Sequence, residues 1–323
     1  MARKLFANTS SENLAAIDAL EEQWNRALLP TVDAAAHARS LRYGQRMANA
    51  IFVWSKTDGG HEGYLRNFPA GYAPPTGAGM WLPTPPKEQP ALQPTWGENR
   101  PFVLASGDSC PPAPPLAYSE APGSAFYEEG MEVYTVTQEL TAEQEAIARF
   151  WSDDPGETVT PPGHSIAIAT QVLQQENASL ILAAETYAKV GIAVADSFIG
   201  CWNAKYEYNL LRPVTYIRKL IDPEWTPLLN TPPFPEYPSG HSVQSAAVAA
   251  VLAGLFGEEY AFIDHTHDGR GLPARSFVSF AGFAEEAALS RLYGGIHYRR
   301  AIELGMAQGE CIGATVNALA FRR

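Results

Sequence analysis

Cysteine is scarce in this sequence. Its 323 residues include only Cys110, Cys201 and Cys311. They form no CxxC pair and have no metal-ligand spacing, which excludes a disulfide framework and a cysteine-based metal site. We expect them to be buried as small apolar side chains. A single long-range disulfide stays open, because the spacing does not identify its partners.

Long uninterrupted apolar runs are also lacking. The longest apolar region, residues 178–202, is interrupted by Glu185, Lys189 and Asp196, so we do not expect it to span a membrane. The amino terminus is positively charged but has no apolar core of the signal-peptide type. We expect a secreted or periplasmic protein whose signal is absent from this numbering, with a cytoplasmic location as the alternative.

Charged side chains are sparse and unbalanced. They make up 18% of the chain, and the formal net charge is −12. Because 46% of the residues are hydrophobic, general disorder is excluded and the chain is long enough to bury a large core. The acidic balance argues against a nucleic-acid partner, since phosphate binding requires a basic surface.

Alternating strand patterns are nearly absent, whereas helical periodicity recurs along most of the chain. Capping boxes formed by Thr9 with Glu12 and by Thr141 with Gln144 predict two helix starts. The apolar spacing predicts further helices over residues 33–54, 165–203, 242–256, 277–293 and 298–320. The predicted fold class is all-α.

Proline is concentrated in residues 66–120, which excludes helix or central strand for most of this segment. We predict an ordered loop over the surface or around the rim of a site, because it carries three aromatic side chains that favour burial: Trp81, Trp96 and Phe102. The predicted organisation is one large domain over 1–323. Its N-terminal helices and Pro-rich loop fill 1–140, and its site-bearing helical half is 141–323.

The residues with unusual chemistry lie in the C-terminal half. Lys205 precedes Arg212 by seven positions, and we predict both on one face of a helix that Pro213 ends. Ser239 and Gly240 precede the next predicted helix. Their hydroxyl and backbone N–H groups would therefore form an anion cradle.

A third cation, Arg291, and two histidines beside glycine-containing turns, His241 and His297, complete this set. Three cations, a helix N-terminus and two imidazoles suit a tetrahedral or trigonal-bipyramidal oxyanion. One histidine would bond its central atom and the other would move protons. Each residue taken singly has an ordinary structural explanation, but chance does not explain the whole ordered set.

The ordered set resembles the pattern KxxxxxxRP…PSGH…SRxxxxxH of the vanadium-dependent haloperoxidases and the wider type 2 phosphatidic acid phosphatase superfamily. The matching positions are Lys205, Arg212, Pro213, Pro238, Ser239, Gly240, His241, Ser290, Arg291 and His297. The resemblance covers about residues 196–305, and the upstream half looks like that of the soluble bacterial members. It implies an all-α architecture of packed four-helix bundles with the site at a bundle end.

The resemblance also implies a cofactor, vanadate, whose vanadium would be bound at His297. The residues that would hold its oxygens are Lys205, Arg212, Ser239, Gly240 and Arg291. The catalytic residues would be His241 as the acid–base group, Lys205 as the group that polarises bound peroxide, and His297. Trp202 and Phe234 resemble the halide pocket of the chloroperoxidase type.

The implied function is oxidation of a halide by hydrogen peroxide to a hypohalous species that halogenates organic substrates. The implied partners are hydrogen peroxide, halide and a small organic molecule, with a homo-oligomer left open. Because phosphate and vanadate share charge and shape, an acid phosphatase with His297 as nucleophile is the alternative. A non-catalytic oxyanion-binding scaffold is a third hypothesis.

One position departs from the family pattern. Ala301 stands where the family usually places an aspartate that orients the second histidine. We therefore predict that His297 donates its second N–H to a backbone carbonyl or a water. The weaker partner would make His297 a poorer nucleophile, so phosphatase activity should be low and should rise in Ala301→Asp.

Three other features lie outside this ordered set. The segment 264–268, DHTHD, is expected to be a solvated loop, with a structural cation as the alternative. His164 is expected to have a capping or core role. Asp196 is either the partner of a cation or a buried hydrogen-bonded group.

Overall fold

Helices dominate the computed structural model, which describes residues 1–321. They are α1 (Ala2–Leu5), α2 (Ser11–Leu28), α3 (Ala34–Ser55), α4 (Ala125–Gln138), α5 (Ala142–Phe150), α6 (Thr160–Gln175), α7 (Leu180–Tyr208), α8 (Pro213–Leu220), α9 (Gly240–Phe256), α10 (Phe280–Tyr293) and α11 (Arg299–Asn317). Two short strands, β1 (Phe262–Asp264) and β2 (Arg275–Phe277), pair antiparallel. The prediction of an all-α fold is confirmed. Within residues 1–321, no helix is both long and apolar enough to cross a bilayer.

The chain forms two compact units, residues 1–67 and residues 68–323. The first contains α1 to α3, and none of its residues is fully buried. α2 is capped by Ser10, which accepts from the Asn13 amide, so the predicted cap at Thr9 is wrong by one residue. The second unit holds all the residues of the predicted site. The single-domain organisation with a division near residue 140 stays a prediction.

The core of the second unit is centred on α9, whose small and apolar residues leave no polar face. It packs against α7, α10 and α11. Gly309 and Gly313 of α11 allow the closest of these approaches, because a Cβ at either position would overlap α9 atoms. The tight contact places the N-terminus of α11 beside the N-terminus of α9, where the site lies.

The Pro-rich loop is tied to the site-bearing helix α7, as expected of an ordered loop. The buried carboxylate of Asp196 on α7 accepts hydrogen bonds from the amides of Phe102, Val103 and Leu104, at 2.7, 2.9 and 3.1 Å. Asp196 is therefore a buried hydrogen-bonded group and not the partner of a cation. The expected burial of the aromatic residues of the loop is confirmed for Trp81, which is 1% exposed, and is wrong for Phe102, which is 49% exposed.

A disulfide between Cys110 in the loop and Cys311 on α11 adds a covalent tie. The expectation that all three cysteines are buried as small apolar side chains is therefore wrong for this pair. It holds for Cys201, which is buried and reduced. The two bonded residues are 201 positions apart, so only the packing of the loop against α11 brings them together.

Candidate functional site: a buried oxyanion cradle

The first two cations reach the site from different helices. Lys205 lies on the last turn of α7, which ends at Tyr208 because Asn209 adopts the left-handed conformation. Arg212 is the N-cap of α8, and Pro213 is the first residue of that helix. The prediction that both cations share one helix face is wrong, because Pro213 begins a helix and does not end one. Both side chains are nevertheless completely buried beside the same loop.

Lys205 holds this loop against α7. Its Nζ donates to the carbonyls of Pro235, Glu236 and Pro238 at 2.9, 3.0 and 2.6 Å. Burial lowers the pKa of Lys205 to about 7, which places its proton within the range of a neutral-pH reaction.

Arg212 has hydrogen-bonding capacity left over. Its Nε donates to the Phe234 carbonyl at 2.9 Å, and its Nη1 donates to the Ile296 carbonyl at 2.8 Å. Its Nη2 is buried and has no partner within the described chain. An unpaired guanidinium nitrogen in the interior is costly unless an anion or another acceptor joins it.

Arg291, on the last turn of α10, supplies the third buried cation. Its Nη2 donates to the Trp151 carbonyl at 2.7 Å, and its Nε donates to Ser290 Oγ at 3.0 Å. Burial lowers the pKa of this guanidinium to about 10, and the carboxylates of Asp153 and Asp154 oppose that shift. At neutral pH it stays charged.

His297 is oriented by a carboxylate that the sequence did not reveal. Its Nδ1 lies 2.7 Å from Glu236 Oε1, which also accepts from the Tyr298 amide at 3.0 Å. The prediction that a backbone carbonyl or a water replaces the missing aspartate at position 301 is therefore wrong. Glu236, from the loop before α9, takes that position. Because a carboxylate orients His297 after all, there is no longer a reason to expect His297 to be a poor nucleophile.

These contacts also decide which His297 nitrogen carries the proton. Nε2 lies 3.1 Å from Arg212 Nη1, and a guanidinium can only donate, so Nε2 presents its lone pair. The proton is then on Nδ1, facing Glu236. Burial is the main cause that lowers the pKa of His297 well below its usual value. Burial also raises the pKa of Glu236, and the neighbouring charges of Arg212 and Lys205 oppose that rise and favour the carboxylate. A neutral imidazole whose Nε2 carries no proton is the form that can bond a metal.

The N-terminus of α9 completes the cradle. Ser239 caps the helix through its Oγ, which accepts from the Ser242 amide. The amides of the two residues between them, Gly240 and His241, belong to the first turn, where N–H groups have no intrahelical acceptor. A Cβ added at Gly240 would be in van der Waals contact with the Trp202 ring at 3.8 Å, so this turn lies against the aromatic residue predicted for the halide pocket.

His241 is partly exposed as a residue, but its Nε2 is buried and has no hydrogen-bond partner in the part of the chain that the structure describes. Burial, followed by the charge of Arg291, lowers the pKa of His241 to about 3, while Asp153 opposes the shift. The imidazole is therefore neutral at physiological pH and can accept a proton.

Trp202 and Phe234 lie together at the edge of the cradle. Their ring centroids are 4.9 Å apart, and Lys205 Nζ lies 5.9 Å from the first ring and 5.1 Å from the second. The two residues predicted as a halide pocket are thus adjacent to the cations. The structure brings all the predicted site residues into one region of the second unit.

A second buried cluster lies next to Arg291 and His241. Asp264 and His267 are almost fully buried, so the expectation of a solvated loop is wrong for both of them. It holds for His265 and Asp268, which are more than half exposed and pair with each other at 2.9 Å. His164 is a buried core residue, as expected, and bonds two carboxylates.

Sequence reasoning missed two groups, and in each case a weak signal was present. Glu236 stands directly before the Tyr237-Pro238-Ser239 turn, so a carboxylate adjoined the predicted cradle. The partner of His164, Asp153, follows Trp151 after α5 and is far along the chain from the DHTHD segment. Neither residue could be assigned without the tertiary contact.

Comparison with known proteins agrees with this geometry. The family model described as the VCPO second helical-bundle domain matches residues 185–323. A curated relative, the vanadium chloroperoxidase of Curvularia inaequalis, is 36% identical over 80 residues. That match covers 20% of this chain and only 13% of the chloroperoxidase.

Two solved structures are similar over most of the chain. A bacterial vanadium-dependent iodoperoxidase is 41% identical, with a TM-score of 0.84, and the match covers 95% of this chain and 74% of that one. A holo-type bacterial vanadium-dependent chloroperoxidase, 18% identical, shares the fold with a TM-score of 0.68 over 82% of this chain and 69% of that one. The fold and the cradle define a helical-bundle protein of the haloperoxidase class. The chain belongs to the vanadium-dependent haloperoxidase family.

Proposed function

We propose that this haloperoxidase holds vanadate in the cradle, with His297 Nε2 as its protein ligand, and oxidises halide with hydrogen peroxide. The observation that carries this proposal is the pairing of buried cations with an unprotonated imidazole nitrogen. Arg212 Nη1 lies 3.1 Å from His297 Nε2, so a negatively charged group bonded to Nε2 would lie next to the Arg212 guanidinium.

The residues present fit an oxyanion. Arg212 Nη2 and His241 Nε2 are buried without a partner in the described part of the chain, and oxyanion oxygens would supply acceptors or protons to both. The Ser239 hydroxyl and the Gly240 amide would donate to other oxygens. Lys205, Arg212 and Arg291 would offset the negative charge in a site from which water is excluded.

Vanadate, when bound, supplies a Lewis-acidic centre that activates hydrogen peroxide toward a halide. The chain's own residues supply orientation and protons. Glu236 accepts the Nδ1 proton of His297 and so keeps Nε2 directed into the cradle. His241 would exchange protons with peroxide, because a neighbouring anion raises the pKa of an imidazole toward neutrality. Lys205 would polarise the peroxide through its positive charge, since its three N–H groups already donate to loop carbonyls.

The halide would approach beside Trp202 and Phe234. We propose iodide as the halide that is oxidised most readily, since the relative with 41% identity is an iodoperoxidase. The aromatic pair gives a polarisable, partly dry surface next to Lys205, which suits a large soft anion. The organic molecule that accepts the halogen would have to reach the same edge.

The test is to add orthovanadate to vanadium-free protein, dialyse it, and measure bound vanadium together with peroxide-dependent oxidation of iodide, bromide and chloride. Hydrolysis of a phosphate ester is assayed in parallel. We expect one vanadium per chain and iodide oxidation. Phosphatase activity that vanadate inhibits, without peroxide-dependent turnover, would show that the phosphatase alternative is correct.

Two variants separate binding from proton transfer. His297→Ala should retain no vanadium after dialysis, because His297 is the cradle imidazole that Glu236 orients with its unprotonated Nε2 beside Arg212. His241→Ala should retain vanadium but oxidise iodide about 10²–10⁴-fold more slowly, the usual contribution of one acid–base group. The control is His265→Ala, an exposed histidine outside the cradle. Stoichiometric vanadium in His297→Ala would contradict the assignment.

A further inference from the structure

A buried cluster behind the cradle has no role in the proposed reaction. It consists of Asp153, which follows α5, His164 on α6, and Asp264 and His267 at the end of β1 and in the loop after it. All four side chains are 2% exposed or less. They come from three separate segments of the chain, and none of them belongs to the oxyanion cradle.

The contacts around Asp264 determine which nitrogen of a neutral His164 carries its proton. Asp264 Oδ1 accepts from the amide of Thr266 at 2.9 Å and from its hydroxyl at 2.6 Å. Asp264 Oδ2 lies 2.7 Å from His164 Nε2 and needs a donor there. In a neutral imidazole the proton is therefore on Nε2, and Nδ1 presents a lone pair.

That lone pair faces another acceptor. His164 Nδ1 lies 2.8 Å from Asp153 Oδ2, which as a carboxylate oxygen cannot donate. His267 Nε2 lies 3.3 Å from the other oxygen, Asp153 Oδ1, yet these two atoms do not form a hydrogen bond and have no other partner in the described residues. A cation must lie among these acceptors, and it is either an extra proton on His164 or a metal ion.

We propose that a divalent transition-metal ion of the zinc type binds between the Asp153 carboxylate, His164 Nδ1 and His267 Nε2. The candidate ligand atoms all lie within 4.8 Å of one another. Two ligands at about 2.0–2.1 Å from zinc, separated by about 90–110°, lie about 2.9–3.4 Å apart. Asp153 Oδ2 lies 2.8 Å from His164 Nδ1 and Asp153 Oδ1 lies 3.3 Å from His267 Nε2, close to these spacings.

The donor set and its surroundings also suit such an ion. Two imidazoles and one carboxylate are typical ligands of zinc, and a metal-bound histidine commonly donates its other N–H to a carboxylate, as His164 does to Asp264. A proton on His164 would leave Asp153 Oδ1 and His267 Nε2 unpaired, whereas one metal ion would bond both atoms. It would also offset two buried carboxylates, toward which Arg291 contributes a further positive charge.

The ion would fix the wall of the cradle. Trp151 stacks on His164 with ring centroids 4.5 Å apart, and its carbonyl accepts from Arg291 Nη2 at 2.7 Å. Binding at Asp153, two residues further along, would hold this segment against α6 and the loop after β1. We assign the metal a positioning role, through Trp151, for Arg291.

The test uses the whole chain without vanadate, so that it does not depend on the proposed function. Protein is treated with a chelator, dialysed, exposed to zinc chloride and dialysed again, and zinc is then measured per chain. We expect one zinc ion per chain and a rise of several degrees in the midpoint of thermal unfolding. Cobalt(II) in its place should give the visible absorption of a site with nitrogen and oxygen ligands.

Matched histidine variants locate the ion. His267→Ala should lose the zinc and the thermal shift, whereas His265→Ala, two positions away and exposed, should keep both. Should His267→Ala fail to fold, X-ray absorption at the zinc edge of the unmodified protein should still show two imidazole ligands. Absence of retained zinc and cobalt, equal retention by His267→Ala, or a zinc shell without imidazole would overturn the proposal and leave the proton on His164.

Discussion

At the scale of single residues, the main finding is that Glu236 orients His297 although Ala301 interrupts the family pattern. The carboxylate comes from the loop before α9 and reaches the same ring nitrogen from another direction, at 2.7 Å. The same residue is connected to Lys205, whose Nζ donates to its backbone carbonyl. One residue thus links the proposed vanadium ligand to the proposed peroxide-activating cation.

Glu236→Gln tests this orienting contact. An amide accepts the Nδ1 proton less strongly than a carboxylate and can also rotate to present its NH₂ group, so the ring loses a fixed tautomer. We expect the affinity for vanadate, measured by titrating iodide oxidation, to fall about 10–100-fold. Glu259→Gln, at an exposed position, is the control. Unchanged affinity in Glu236→Gln would mean that the contact does not orient His297.

Lys205→Met tests the proposed activator at nearly constant volume. Arg212 and Arg291 would still offset the charge of vanadate, so binding should persist, but the peroxide would lose the positive charge that polarises it. We expect kcat to fall about 10²–10³-fold at saturating vanadate, the range for loss of one preorganised donor. Lys219→Met, a surface variant, is the control. Equal turnover in Lys205→Met and the parent would remove Lys205 from the mechanism.

At the scale of elements, the site depends on how the Pro-rich loop is fastened to α7. Three consecutive loop amides bond to Asp196, and the carbonyl of Leu92 accepts from the Tyr206 hydroxyl at 2.7 Å. Trp202, on the same helix, bonds the same carbonyl at 3.4 Å. The loop therefore sets the position of the proposed halide pocket as well as the outer surface of the bundle.

Asp196→Asn should loosen this attachment. The asparagine side chain has a single carbonyl oxygen for three amides, and its NH₂ group would face donors. We expect the free energy of unfolding to fall by about 3 kcal/mol, since hydrogen bonds to a charged group contribute more than neutral ones. Hydrogen exchange should become faster at residues 102–104. Glu207→Gln, exposed on the same helix, should change neither the free energy of unfolding nor the exchange rates. Unchanged hydrogen exchange at residues 102–104 in Asp196→Asn would refute the anchoring role.

For the molecule as a whole, a histidine that the fold keeps neutral, His241, links stability to pH. Burial lowers the pKa of His241 to about 3 in the folded chain, against 6.5 for an ordinary histidine, and Arg291 lowers it further while Asp153 opposes the shift. Between these values the unfolded chain binds a proton that the folded chain does not. The contribution of His241 is therefore fully present above pH 6.5 and is lost as the pH falls toward 3.

His241→Gln should remove this dependence. We expect the free energy of unfolding of vanadate-free protein to fall less steeply between pH 6.5 and pH 4.5 in the variant than in the parent, by up to about 1.4 kcal/mol per pH unit. Denaturant titrations at several pH values in the presence of a chelator measure this difference. Parallel pH curves for the two proteins would show that His241 is not held neutral by the fold.

Local sequence patterns are sufficient to predict the helical class, several helix starts and the residues of the candidate cradle. Helical periodicity, capping residues and the order of the KxxxxxxRP, PSGH and SRxxxxxH segments are local properties, and local interactions act within a few residues along the chain. The capping box at Thr141 is an example, because its two hydrogen bonds join residues three positions apart. Local periodicity did not determine the role of Pro213, whose effect depends on whether a helix precedes or follows it.

Which distant groups lie together depends on tertiary packing and could not be predicted from local patterns. Glu236 and His297 are 61 positions apart, His164 and Asp264 are 100 apart, and the two bonded cysteines are 201 apart. Each of these contacts depends on how whole helices and loops pack around α9, because a side chain finds such a partner only after the elements that carry both have docked. The sequence supplies the chemical groups, whereas the packing of the core sets the distances between them.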